Sequence, residues 1–321
     1  MSDANINEKE ELLENEQVEE KPAEEAKTYD VVIEDARQDL FKAYSKSRRI
    51  SNILMFAVVI AICGIMFLII NNNQVLKIVG YSLAGALVLG MILYYVLTRN
   101  KLPNKVKGYV PFVMKTLNEK MFSMQGFSEI KNDPEEKLQM DDLVGDGVYA
   151  EASGINSRNV VRGVYNGHHF LYAEAALTRP AQKKQQVPPL FVGRYISVPN
   201  QMKFDGHFIF NFRNPKQPLD IPNAVNDLKV LEEKEDFVVY GPENANYHDV
   251  IDNKVISEFK KLKIEGHLLN VNVVFWGGHT AVYLSYDDPI LSVPFDKPFD
   301  KNGFEASLDD LVICMKAMSE D

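Results

Sequence analysis

Apolar positions along this chain follow three periods, and each predicts a different kind of element. Two runs are apolar on every face and contain no charge: NILMFAVVIAICGIMFLII, Asn52 to Ile70, and IVGYSLAGALVLGMILYYVL, Ile78 to Leu97. At about 1.5 Å of rise per residue they reach roughly 28 and 30 Å, the thickness of a bilayer's hydrocarbon. The twelve Leu, Ile, Phe and Val of the first run and the ten of the second each favour insertion by about 0.3 to 0.6 kcal/mol near mid-membrane. A buried hairpin in a soluble protein would need a large surrounding core, because neither run has a polar face. The expectation is a transmembrane hairpin over 52–97, with spans 52–70 and 78–97 and the loop NNNQVLK, 71–77, as its tip. The first run is longer than a signal-peptide core and follows about fifty residues of other sequence, so cleavage is not expected. Ala57, Ala61 and Gly64 on one span and Ser82, Ala86 and Gly90 on the other allow close backbone approach and are expected to pack the spans together.

A helical period flanks the hairpin. Val32, Ala36, Leu40, Ala43 and Tyr44 predict a lead-in helix over 29–51 that runs into the first span. In KGYVPFVMKTLNEKMFSM the residues Val110, Val113, Met114, Leu117 and Met121 predict an amphipathic helix with Pro111 in its first turn. HDVIDNKVISEFKKLK and SLDDLVICMKAM predict two more, the second capped by Ser307.

Between these helices the period falls to two. Asn166-Gly167 is the preferred two-residue hairpin turn, which places Tyr165 opposite His168 and Val161 opposite Tyr172. Gly277-Gly278 turns NVNVVFWGGHTAVYLSY. One face of that hairpin holds Val271, Val273, Phe275, Thr280, Val282 and Leu284; the other holds Asn272, Val274, Trp276, His279, Ala281 and Tyr283. PLFVGRYISV, HFIFNF and DFVVY read as further strands. Strands joined by hairpins with interspersed helices predict an α+β domain over 102–321 with a largely antiparallel sheet and flanking helices.

Charge sharpens the organisation. Met1 to Leu40 carries 14 acidic and 4 basic residues, a net of −10 that equals the charge of all 321 residues. The remainder is balanced, so no basic field argues for nucleic acid. Residues 1–28 read as an acidic, disordered tail. Arg37, Lys42, Lys46, Arg48 and Arg49 precede the first span, Arg99, Lys101, Lys105 and Lys107 follow the second, and the loop has only Lys77. This bias predicts a multi-pass cell-membrane protein with both termini cytoplasmic and the loop outside. The two cysteines, Cys63 and Cys314, imply no disulfide framework.

The segments VVRGVYNGHHFLYAEAAL, PPLFVGRYISVPNQMKFDGHFIF and LEEKEDFVVYGPENANYHDVIDNKVISEFKKL, behind a double span, resemble an uncharacterised bacterial membrane family catalogued as domain of unknown function 3137. The resemblance is carried by G-x-Y-x-G-x-x-F at Gly163 to Phe170, F-x-G at Phe191 to Gly193, and E-x-x-D-F leading into VVY. It runs from the first span to Leu311 and implies a bacterial membrane location, with no activity attached. Asn246 stands before Tyr247, where the family commonly has a basic residue.

Candidate chemistry is sparse. None of the histidines at 168, 169, 207, 248, 267 and 279 lies in a metal-binding frame, and there is no nucleophile elbow or phosphate cradle. No metal or cofactor is expected. The aromatic face Trp276, His279 and Tyr283 is the candidate binding surface, with core packing as its alternative. Two function classes follow. One is a membrane-anchored interaction module that recruits a cytoplasmic protein, or a second copy of the chain, to the inner face of a bacterial membrane. The other is an enzyme acting at the membrane surface on a lipid or envelope precursor, which requires histidines and acids to converge in a polar pocket.

Overall fold

The computed structural model describes residues 28–70, 73–98, 101–133, 135–144, 146–149, 151–179, 188–199, 207–213, 228–249, 251–264, 267–286 and 294–319. The acidic segment 1–27 and most of the basic-to-apolar junction at 99–100 lie outside them. Helix α1, Tyr29–Ile70, runs 42 residues without a break, about 63 Å of helix. Helix α2, Gln74–Thr98, returns beside it, and Asn73 Oδ1 accepts from Val75 N at 3.0 Å in its first turn. Both helices are long and apolar enough to cross a bilayer. Their apolar side chains face outward, with Phe67 and Ile70 each 73% exposed, a contiguous apolar surface of a kind soluble monomers rarely show.

The seam between α1 and α2 differs from the small-residue packing expected. Its half-buried positions include Leu54, Val58, Ala61, Ile65 and Leu68 against Leu76, Ala84 and Leu87, with Gly80 buried among them. Of the small residues singled out in the sequence only Ala61 lies there; Ala57, Gly64, Ser82, Ala86 and Gly90 are exposed. Branched side chains fill the seam, and Gly80 supplies the close approach, since a Cβ there would lie 2.9 Å from Ile69 Cγ1.

Helix α3, Lys101–Met121, carries Pro111 in its interior, not in its first turn, because the helix begins six residues before Lys107. Its buried stripe is Tyr109, Val113, Leu117 and Met121, while Val110 is exposed. This is a strict i, i+4 row, one residue away from the predicted one at its start. The first half of α1 packs with it: Ile33 and Leu40 are fully or nearly buried in the same core.

Among the described residues, nine antiparallel strands form one sheet in the order β1-β2-β3-β4-β9-β8-β5-β7-β6. They are β1 Phe127–Asn132, β2 Gly154–Tyr165, β3 His168–Thr178, β4 Phe191–Pro199, β5 His207–Arg213, β6 Leu228–Glu233, β7 Phe237–Pro242, β8 Leu268–Trp276 and β9 His279–Tyr286. The one-turn helix α4, Asp141–Val144, follows β1; α5, Asn253–Phe259, precedes β8; α6, Lys301–Met318, closes the chain. The two hairpins have the expected registers, Tyr165 opposite His168 and Trp276 opposite His279. Asn166 and Gly167 both adopt positive φ, as that turn requires. Both edge strands are bulged, β1 between Ser128 and Lys131 and β6 between Val230 and Glu232, and both carry charges, features that discourage edge-to-edge pairing.

One face of the sheet packs on α1, α3, α5 and α6 through residues such as Tyr172, Ile196, Phe210, Val273 and Val282. Helix α6 starts earlier than predicted, capped by Asp300, whose carboxylate accepts from Gly303 N at 3.0 Å. Ser307 is therefore not a cap but a buried mid-helix residue. Its carbonyl and hydroxyl accept from the guanidinium of Arg194 at 2.6 and 2.9 Å, and its hydroxyl donates to Phe304 O. Arg194 is fully buried, so this charge-assisted pair joins β4 to α6 inside the core.

The other face carries a second core, Ala173, Ala175, Tyr195, Val274, Ala281 and Tyr283, covered by Leu138, Leu143 and Val148 from the segment between β1 and β2. A sheet apolar on both faces needs two covers, and this strap is the second.

Helix α1 is tied to the domain by charge as well as by burial. Arg37 donates to both oxygens of Glu34 at 2.7 and 2.6 Å and to Phe295 O at 3.0 Å, and Lys301 pairs with Asp30 at 3.0 Å. The guanidinium of Arg37 holds the Glu34 carboxyl down to about 2 from its ordinary 4.5. A carboxylate depressed in the folded state contributes stability above its unfolded value and loses it as pH falls through the folded one. Amide protection over 33–40 is thus expected to weaken between about pH 4.5 and 2, and Glu34→Gln to flatten that dependence in hydrogen exchange. Unchanged protection down to pH 2 in the wild type would contradict the role given to this pair.

Candidate functional site

The β8–β9 hairpin alternates its side chains between the two cores, and the predicted surface lies on the strap side. Its three residues have different fates. Tyr283 is 1% exposed and packs among Tyr149, Phe191 and Tyr195 with ring centroids 5.2, 5.4 and 5.0 Å away. Tyr283 belongs to the second core. His279 and Trp276, at the turn end, are half-buried. The Trp276 ring stacks on His207 of β5, with centroids 5.1 Å apart and planes within 13°, and meets His279 edge-on at 4.8 Å.

What gathers these residues is an aspartate that sequence reasoning passed over. Asp146, in the strap segment VGDGVY, is fully buried. Its Oδ2 accepts from Tyr283 at 2.8 Å and Tyr195 at 3.1 Å, and its Oδ1 lies 2.5 Å from His279 Nε2. A buried carboxylate requires such partners, and three donors from β4 and β9 supply them. Burial and the Asp146 charge push the Tyr283 phenol well above its ordinary range, so it stays a donor. Beside this cluster Asn211 Nδ2 donates to Asn270 and Asn272 at 2.8 and 2.7 Å, and Asn272 Nδ2 to Tyr149 OH at 3.2 Å.

Chemically the cluster is a clasp. It holds the strap to the sheet and fixes the ring of His279, the member with 24% of its side chain exposed, beneath Trp276. His248 and His267 do not join it: the rings of His248 and Tyr247 lie 4.0 Å apart, and His267 faces Asp300 at 3.9 Å. Among the described residues no three His, Cys, Asp or Glu side chains are placed to hold a metal ion. Cys314 is buried in the helix-side core, where burial raises its thiol well above its ordinary value and it packs as a small hydrophobe. A lone acid between glycines has no sequence signature. The apolar positions Val274 and Ala281 on the supposed outer face were the available sign that something covers it.

No family model and no curated protein matches the chain. Among solved structures, the crystal structure of the mycobacterial trehalose monomycolate transport factor A, TtfA, is similar with a TM-score of 0.35 and 13% identity, over 62% of this chain and 95% of that one.

Proposed function

We propose that this chain is a membrane-anchored interaction module of a bacterial inner membrane. In this reading α1 and α2 cross the bilayer, both flanks are cytoplasmic, and the α+β domain presents the Trp276 rim to a protein partner. The observation that carries the reading is the continuity of α1. One unbroken helix is buried in the domain at Ile33 and Leu40 and apolar and exposed from Ile53 onward, so on the α1 side the domain joins its anchor through continuous helix. Exposed Lys42, Lys46, Arg48, Arg49, Lys105 and Lys107 surround the base of the hairpin and support the cytoplasmic placement. Arg37 drops out of that count, since it is spent inside the domain. The bulged edges disfavour a partner that extends the sheet and favour one that meets the rim at the β8–β9 turn.

The enzyme class needs converging histidines and acids; His207 and His279 both contact Trp276. A binding role makes a specific demand on Trp276. With a photo-crosslinker at His207 in the full chain, the wild type is expected to give a defined adduct in cells, whose mass distinguishes a second copy from another protein. Trp276→Ala is expected to abolish the adduct, since truncating an interface aromatic commonly costs about 2 kcal/mol or more of binding. The same variant, from a half-buried site, should lose less than about 2 kcal/mol of stability. Unchanged crosslinking, or unfolding of the variant, would remove this surface from the proposal.

A further inference from the structure

On the helix side of the sheet a cavity of about 860 Å³ opens between α6, the segment before it and the residues between α5 and β8. Its size falls within the range of small-molecule sites, about 300 to 1,000 Å³. The walls are apolar, formed by Pro298, Phe299, Phe304 and Ile313, and the floor carries Tyr286, Ser307 and Asp310. The floor's polar groups are already engaged: Tyr286 donates to Asp310 at 3.0 Å, and Ser307 is held by Arg194. Burial raises the Asp310 carboxyl above its ordinary value.

The rim has the opposite character. Lys263, Lys297 and Lys316 stand around the opening, exposed, and outnumber the one exposed rim carboxylate outside the α6 cap, Asp309. None of the three pairs with a carboxylate among the described residues, whereas Lys261 is taken by Glu258 and Asp300 by the cap of α6. An apolar interior beneath unpaired ammonium groups is complementary to a molecule with an apolar body and an anionic end. We infer that this cavity binds an amphiphilic anion, a phosphate or carboxylate head at the lysine rim with an apolar body among Phe299, Phe304 and Ile313.

The cavity lies near the anchor. Pro294, on its lining, precedes Phe295, whose ring packs on Tyr44 of α1 at 5.2 Å. Tyr44 is eight residues before Asn52, about 12 Å of helix from the start of the apolar run. A lipid head and a soluble phosphate ester share the required chemistry. The inference stands apart from the protein-partner reading, and the anchor matters only for which source supplies the ligand.

The test uses the full chain in phosphatidylcholine nanodiscs, with acetylation of Lys263 and Lys316 followed by mass spectrometry. Octyl phosphate, octanol and inorganic phosphate are compared at equal concentrations, with exposed Lys42 as the control for charge gathering on the bilayer. Octyl phosphate is expected to slow acetylation at Lys263 and Lys316 saturably, by about five-fold or more, with little change at Lys42. Octanol and inorganic phosphate should each fail to do so. Lys297→Glu on the rim and Ile313→Trp in the wall should each raise the concentration needed by about ten-fold. Protection by inorganic phosphate alone would mean a simple charged patch, and protection by octanol a simple apolar hole; either overturns the inference, as does equal protection at Lys42 or none at all. Discs doped with phosphatidic acid and free of octyl phosphate assign the source, the bilayer if protection appears and a soluble ester if it does not.

Discussion

Gly193→Ala is expected to prevent the sheet from forming in its native arrangement. A Cβ at this position would lie 1.8 Å from the carbonyl oxygen of Leu284 and 2.9 Å from its carbon. Both are backbone atoms of β9, which β4 pairs with from Gly193 to Pro199, so no side-chain rotation relieves the overlap. The two strands would have to separate at the middle of the sheet, where Ile196 and Val282 are buried on one face and Tyr195 and Tyr283 on the other. The cost should exceed about 4 kcal/mol, among the largest that single substitutions produce. Gly277→Ala is the internal comparison, since nothing lies within 4 Å of its would-be Cβ, and it should stay within about 0.5 kcal/mol of the parent. Denaturation of the full chain in detergent measures both. Near-equal stabilities would show that β4 and β9 are not packed as described.

The second large effect is at Asp146. Asp146→Ala removes the acceptor shared by Tyr195, Tyr283 and His279 and leaves two buried hydroxyls without it. Leaving buried hydroxyls without their acceptor costs about 1 to 3 kcal/mol each. Asp146→Asn retains one acceptor oxygen and should fall between. Because Asp146 lies in the strap, the alanine variant should also increase hydrogen exchange over 138–149 and 271–283 more than over α3. A loss confined to the helix-side core would mean that the strap is not held by this carboxylate.

These two positions mark what the sequence did and did not disclose. The hairpin registers were legible because turn chemistry and alternation leave one pairing, and they hold until Arg158 to Val161 and Leu268 to Asn270, where bulges shift them. An inserted residue has no composition of its own, so the shifts were not legible. The α6 boundary was misread because Ser307 resembles a cap, while the residue that caps the helix, Asp300, sits before a weak helical stretch. The clasp was hidden for a different reason. His279 and Tyr283 stood out as an aromatic face, but their acceptor comes from an aperiodic strap more than 130 residues away, and local pattern carries no such distance. Gly193 ends the F-x-G that begins at Phe191, and the Leu284 carbonyl gives that glycine a steric cause.

The central claim is that α1 and α2 form a membrane hairpin with the domain on the cytoplasmic side. It is tested most directly by cysteine accessibility in intact cells, in a Cys63→Ala background that leaves Cys314 buried. Asn73→Cys, at the exposed turn before α2, and Lys107→Cys, exposed on α3, are each treated with a membrane-impermeant maleimide. The account predicts that position 73 is labelled in intact cells and position 107 only after lysis. Labelling of 107 before lysis with 73 protected would invert the topology, and protection of both until lysis would contradict the hairpin itself.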